Sequence, residues 1–158
     1  MSYEQAVSLR EAGDVEGIKH LFRVHPEDAR IAYQVAWTHD KLGLEAEAVQ
    51  YYQAALQLGL PPDEEPGAFL GLGSTLRCLN RLRESLETLD AGLEVYPQDR
   101  ALKVFRALTL YSLGRHEECT SALLHQLAET TQDERIRAYG RALSYYADNL
   151  SIDESLQA

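Results

Sequence analysis

The chain has 158 residues, with 15 Lys and Arg against 25 Asp and Glu, a formal charge of −10 and a pI near 4.9. That acidic balance argues against nucleic acid and anionic membrane surfaces as partners, because both call for a basic face. The length suits one domain, and no apolar run approaches the ~20 residues of a membrane span.

Met1-Ser2-Tyr3-Glu4 lacks the basic and then apolar pattern of a secretory leader. Cys78 and Cys119 lie too far apart in sequence to make a disulfide framework. A soluble, cytoplasmic protein is the expectation. In chain order, two amphipathic stretches flank Gly13, and the second, about Glu16–Val24, stops before Pro26. The next two flank Gly43, and EAEAVQYYQAALQLG (45–59) puts Ala48, Tyr52 and Ala55 on one helical face at spacings of four and three. A third pair flanks Asn80 and a fourth flanks Gly114. All four punctuating residues tolerate the positive φ that a helix-ending turn requires. Their spacings are 30, 37 and 34. The short one reflects the early stop at Pro26. The long one contains Leu60–Pro66, which reads as an inserted loop between repeats.

This period resembles the 34 residues of the tetratricopeptide repeat, TPR. In the third unit Phe69, Leu72, Gly73 and Leu76 match the motif's large, large, small and large positions on the first helix. Ser85, Leu89 and Gly92 match the small, large and small positions on the second. The small residues let helices approach while Tyr52 and Leu89 fill the grooves alongside. The reading is a single domain over 1–148. It comprises a truncated repeat (1–27), two good repeats (29–61 and 66–98), a divergent repeat (100–131), a capping helix (133–148) and a polar tail (149–158). The divergent unit carries Lys103 and Arg106 at apolar positions and Thr131 in place of the closing Pro. The segments LGSTLRCLNR (72–81), YPQDRALKVFRALTLYSLGRHEE (96–118) and the following LLHQLAE resemble the small bacterial tetratricopeptide repeat family 5. The resemblance implies an all-α fold, a right-handed superhelix of antiparallel helix hairpins with a C-terminal capping helix. It also implies a non-enzymatic protein–protein interaction module that dimerises, and it brings no catalytic residues.

The chemistry-bearing residues point the same way. Cys119 falls at a small core position, while Cys78 ends a first helix with no activating base beside it. The five histidines lack any HExxH spacing, and His39 stands where the motif packs a Tyr. Gly71-Leu72-Gly73-Ser74-Thr75 has neither a preceding strand nor a following GK[ST], so helix packing explains it better than a phosphate loop. Glu45, Glu47, Glu84, Glu87, Glu117 and Glu118 begin second helices and suit the helix dipole. No catalytic residue, metal or cofactor is expected.

In such an array the first helices line the concave groove. The pattern places Tyr3, Val7 and Arg10 there, then Arg30, Tyr33, Gln34, Trp37 and Lys41. Next come Leu70, Ser74 and Arg77, then Val104, Phe105, Leu108 and Tyr111, and last Arg137, Arg141 and Tyr145. Trp37 is the only tryptophan and falls on the groove face, and Trp, Tyr and Arg are the residues that most often dominate binding energy. The helix ALKVFRALTLYSL (101–113) is apolar around most of its circumference, which predicts a cover on more than one face. That cover is the capping helix, a second copy acting through Val104, Phe105, Leu108 and Tyr111, or another protein. The Lys and Asn clamp of chaperone-binding TPR domains is absent, since Tyr3, Val7, Gln34, Gly67 and Gly71 stand at its positions. Arg137 and Arg141, with Arg77, are expected to hold an acidic peptide. The expected function is a scaffold that holds a partner protein or peptide in a groove centred on Tyr33, Trp37 and Arg77, and that forms a homodimer. The alternative is a sensory module for a short signalling peptide.

Overall fold

The punctuating residues close helices. The computed structural model describes residues 2–151. In it, Gly13, Gly43, Asn80 and Gly114 take φ of 68°, 73°, 60° and 77°. After each, the next residue's N–H donates to the carbonyl five positions back. These bonds are Asp14 to Leu9, Leu44 to His39, Arg81 to Leu76 and Arg115 to Leu110, at 2.8–2.9 Å. One Schellman-type turn is thus repeated four times and satisfies carbonyls that a helix end leaves open. The turns separate α1 (Ser2–Ala12) from α2 (Val15–Val24), α3 (Ala29–Lys41) from α4 (Glu45–Leu58), α5 (Glu65–Cys78) from α6 (Leu82–Val95), and α7 (Arg100–Ser112) from α8 (His116–Thr130).

Helix starts repeat as well. The Asp28 carboxylate accepts from the N–H groups of Arg30 and Ile31, Asp99 from Leu102 and Asp133 from Ile136. Each caps a helix that opens a hairpin or the C-terminal cap. At α6 and α8 an Arg precedes the first turn and grips the Glu three residues on, Arg81 to Glu84 and Arg115 to Glu118. These exposed pairs hold both carboxyls below the usual carboxylate range.

Within a hairpin the small positions admit large partners. A Cβ on Gly73 would stand 2.5 Å from Leu89 Cγ. Ser85 donates to the Gly73 carbonyl at 2.6 Å and lies 2.9 Å from the Thr109 hydroxyl, which joins α5, α6 and α7 through buried polar groups. His39 is buried as expected. Its Nδ1 lies 2.8 Å from the Val35 carbonyl oxygen, so that nitrogen carries the proton. Cys119 is in the core and Cys78 is exposed. Arg106, at a normally apolar position, reaches across to Asp90 of α6 at 2.5 Å, so an ion pair takes the place of packing there.

Each second helix leans on the next hairpin, α4 on α5 and α6 on α7. One expectation about the C-terminus needs revision, and one of the three covers left open for α7 is not the one taken. The capping helix is broken at Tyr139 into a single turn, α9 (Glu134–Ala138), and α10 (Gly140–Ala147), as suits a Gly placed mid-helix. The cap does not fold over α7. Its main neighbour is α8, where Ala147 is buried and His125 Nε2 meets Asp148 at 2.7 Å. Leu108 and Tyr111 of α7 therefore stay 38% and 63% exposed. Residues 152–158 of the expected tail lie outside the described residues. No helix among the described residues is long and apolar enough to cross a membrane.

Candidate functional site

The first helices do not pack evenly. α1 lies along α3 and α7 along α5, but α3 and α5 touch at few points. Between them opens a concave cleft of about 330 Å³, lined by Tyr33, Trp37, Asp40 and Tyr52 on one side and Gly67, Leu70, Gly71 and Ser74 on the other, with Phe105 from α7. Pockets that hold ligands share this make-up, mostly apolar and aromatic walls with a few placed polar groups.

The walls are built by aromatic packing over absent side chains. Tyr33 stacks on Trp37, with centroids 6.0 Å apart and planes at 25°, and lies 6.1 Å from Tyr52. A Cβ on Gly71 would sit 2.5 Å from Tyr52 Cζ, and one on Gly67 would collide with the Tyr33 hydroxyl. The two glycines, one turn apart on α5, leave the room that the two tyrosines occupy. Burial pushes the phenols of Tyr33 and Tyr52 above their ordinary pKa, with Glu64 adding to the first and Asp40 to the second. Both stay neutral at physiological pH. Asp40 accepts from Tyr52 Oη at 3.1 Å and from Thr75 Oγ1 at 3.0 Å.

The predicted groove residues divide. Tyr33, Trp37, Leu70, Ser74 and Phe105 meet in this one cleft. Trp37 is 44% exposed, and Arg10 of α1 lies over its ring at 4.0 Å. Arg30 lies 3.6 Å from the centre of the Tyr3 ring and pairs with Glu64 of the inserted loop, which holds its guanidinium above the ordinary pKa. Between those two contacts Gln34 is 2% exposed. It is not a groove-surface residue, because α1 covers that part of α3. Lys41 is exposed at the end of α3. Arg77 turns toward α7, with Nη1 3.4 Å from Ser112 Oγ. Arg137, Arg141 and Tyr145 are exposed on the cap, whose main neighbour is α8, so Arg77 on α5 does not share an element with the other two arginines. Val104 and Phe105 are half-buried, beside the exposed Leu108 and Tyr111.

Asp40 and Tyr52 are the site residues that sequence reasoning missed. Asp40 carried a signal, since it lies three residues after Trp37 on the same helical stripe. A larger hollow of about 650 Å³ lies at the α7–α8 turn. Arg115 pairs there with Glu118 and Arg106 with Asp90, and its lining shares no residue with the aromatic cleft. Among the described residues no three His, Cys, Asp or Glu side chains converge as a metal ion would need.

A search of curated proteins returns no match. A family profile described as a tetratrico peptide repeat, of the family 5 kind, matches residues 29–150, from the first turn of α3 past the end of α10. The repeated Schellman turns, the paired helices and that match over most of the chain place the protein in the tetratricopeptide repeat family.

Proposed function

We propose that this protein is a non-enzymatic interaction scaffold that holds an extended segment of a partner protein in the cleft between α3 and α5. TPR repeats generally mediate protein–protein contact, and the family is typically non-catalytic. The observation that carries the reading is the half-exposed Trp37, stacked on Tyr33 at the wall of an aromatic cleft. Exposed aromatic side chains beside a concavity are the usual anchors of binding energy. The test is to pan a random 12-residue peptide library on the protein and measure the selected peptides by fluorescence anisotropy. Trp37→Ala is expected to weaken them tenfold or more. Peptides that bind Trp37→Ala as tightly as the parent would refute the reading.

A second feature of the scaffold is self-association. The cap leaves Leu108 and Tyr111 uncovered, and Leu123, Leu127, Tyr139, Tyr145 and Tyr146 add exposed apolar surface in α8 and the cap. A second copy covering Leu108 and Tyr111 would give a mass twice 17.8 kDa by light scattering, and Leu108→Asp would return it to the monomer. A monomeric parent at all concentrations would rule this out.

A further inference from the structure

We propose that the α3–α5 cleft takes a single lysine or arginine side chain of the partner segment, its alkyl stem against Tyr33, Leu70 and Phe105 and its cationic head at Asp40. This rests on the reading of the cleft as the partner site and specifies its chemistry. Asp40 is half-buried in an aromatic wall, and its hydrogen bonds come from two neutral hydroxyls, those of Tyr52 and Thr75. Among the described residues no Lys, Arg or His nitrogen lies within ion-pair distance of it. A carboxylate withdrawn from water without a counter-charge is costly, and a cation arriving from outside relieves that cost.

Two cations of the first helices make other contacts, and a third is exposed at a helix end. Arg10 lies on Trp37 and contacts Glu11 at 3.6 Å. Arg77 reaches Ser112. Lys41 is exposed at the end of α3.

The walls of the cleft favour a cation as well. Aromatic faces attract cations through their quadrupole, and this groove already uses them so twice, with Arg10 over Trp37 and Arg30 over Tyr3. Long basic side chains bury their stems along apolar surface while placing the charge at a polar end. A cleft of about 330 Å³ with apolar sides and one carboxylate fits one such side chain and is too small for a helix. The net charge of −10 also favours a basic segment over an acidic one.

The test uses the selected 12-residue peptides. Each is resynthesised with its fixed basic residue replaced by norleucine, which keeps the stem and removes the charge, and is titrated against the parent protein and Asp40→Asn. The expected result is a fixed Lys or Arg whose replacement weakens binding about tenfold on the parent and less than threefold on Asp40→Asn. Because the norleucine comparison is made on the unaltered protein, it stands even where Asp40→Asn folds poorly. Peptides that need Trp37 but carry an apolar or acidic residue at the fixed position overturn the basic-side-chain proposal and leave the groove reading intact. Peptides indifferent to Trp37→Ala overturn both.

Discussion

Replacing Gly71 with Ala sets two known effects against each other inside one helix. Ala is favoured over Gly in a helix interior by about 0.8–1.0 kcal/mol, so propensity alone predicts stabilisation. The added Cβ, however, would stand 2.5 Å from Tyr52 Cζ and 2.6 Å from its Cε1 and hydroxyl. Tyr52 is 2% exposed, with its ring in the core and its hydroxyl on Asp40, so moving away from an added Cβ would disturb that packing and that hydrogen bond. Overpacking of this kind costs about 1–3 kcal/mol, and displacing a hydrogen bond to a charged acceptor adds about 1.5 kcal/mol. The balance is a net loss of about 2.5 kcal/mol, and at about 2–4 °C per kcal/mol for a chain of this size the midpoint falls by about 5–10 °C. The assay is thermal and urea unfolding followed by far-ultraviolet circular dichroism. In a Tyr52→Leu background the same change should cost much less, and that coupling identifies the clash as the cause. Gly140 is the internal control, because the nearest atom to its added Cβ is 3.9 Å away and Gly140→Ala should be neutral or stabilising. A Gly71→Ala protein as stable as the parent would refute the account of the cleft as room left for Tyr52.

Three further outcomes are expected. Asp28→Ala and Asp99→Ala each remove a side-chain cap and should lower stability by about 1 kcal/mol in urea unfolding, whereas Asp63→Ala, in the inserted loop, should change little. Tyr33 and Tyr52 have folded pKa values above the ordinary 10.0, and Tyr96, hydrogen-bonded to Glu65, is pushed up to about 12. Their contribution is full below pH 10 and is lost as pH rises toward the folded values; phenolate absorbance should therefore appear late and in step with unfolding, and Tyr52→Phe should make the loss of stability above pH 10 shallower. Glu84, Glu118 and Glu129 are shifted the other way, each by a hydrogen bond from an arginine. Their contribution is present above the ordinary carboxyl value of 4.5 and is lost as pH falls through the lowered values, so a Glu84→Gln, Glu118→Gln protein should show a shallower loss of urea stability between those limits.

The helices were legible because their ends are written locally. Gly13, Gly43, Asn80 and Gly114 announce a backbone conformation that few other residues accept, and all four adopt it. The Pro-x-Asp at 26–28 and 97–99 carried equally local information, since those Asp residues are the caps. That signal is independent of the large and small positions of the motif. The groove was legible only where one helix suffices to define a face. Tyr33, Trp37, Leu70, Ser74 and Phe105 fall on such faces. Gln34 falls on one too, yet is buried, because its exposure depends on the reach of α1 over α3. The cap's position and the meeting of Asp40 with Thr75, 35 residues later, depend in the same way on how whole hairpins dock, a quantity that helical periodicity does not contain.

The place where docking departs from regularity is also where the repeat spacing is longest. The cleft lies between the two units separated by 37 residues, across the stretch Leu60–Pro66. That stretch is built in firmly. Leu60 is in the core, the Pro61 carbonyl accepts from the N–H groups of Glu64 and Glu65, and Glu64 holds Arg30 of the preceding repeat. A longer connection that is anchored at both ends can set its hairpin at a distance that a 34-residue repeat does not, and Gly67 and Gly71 then turn the gap into a space that Tyr33 and Tyr52 partly fill. On this argument the insertion and the two glycines form a single device. It opens the stack of first helices at the position where Trp37 and Asp40 meet solvent, so the junction with the longest connection is also the one that carries the aromatic cleft.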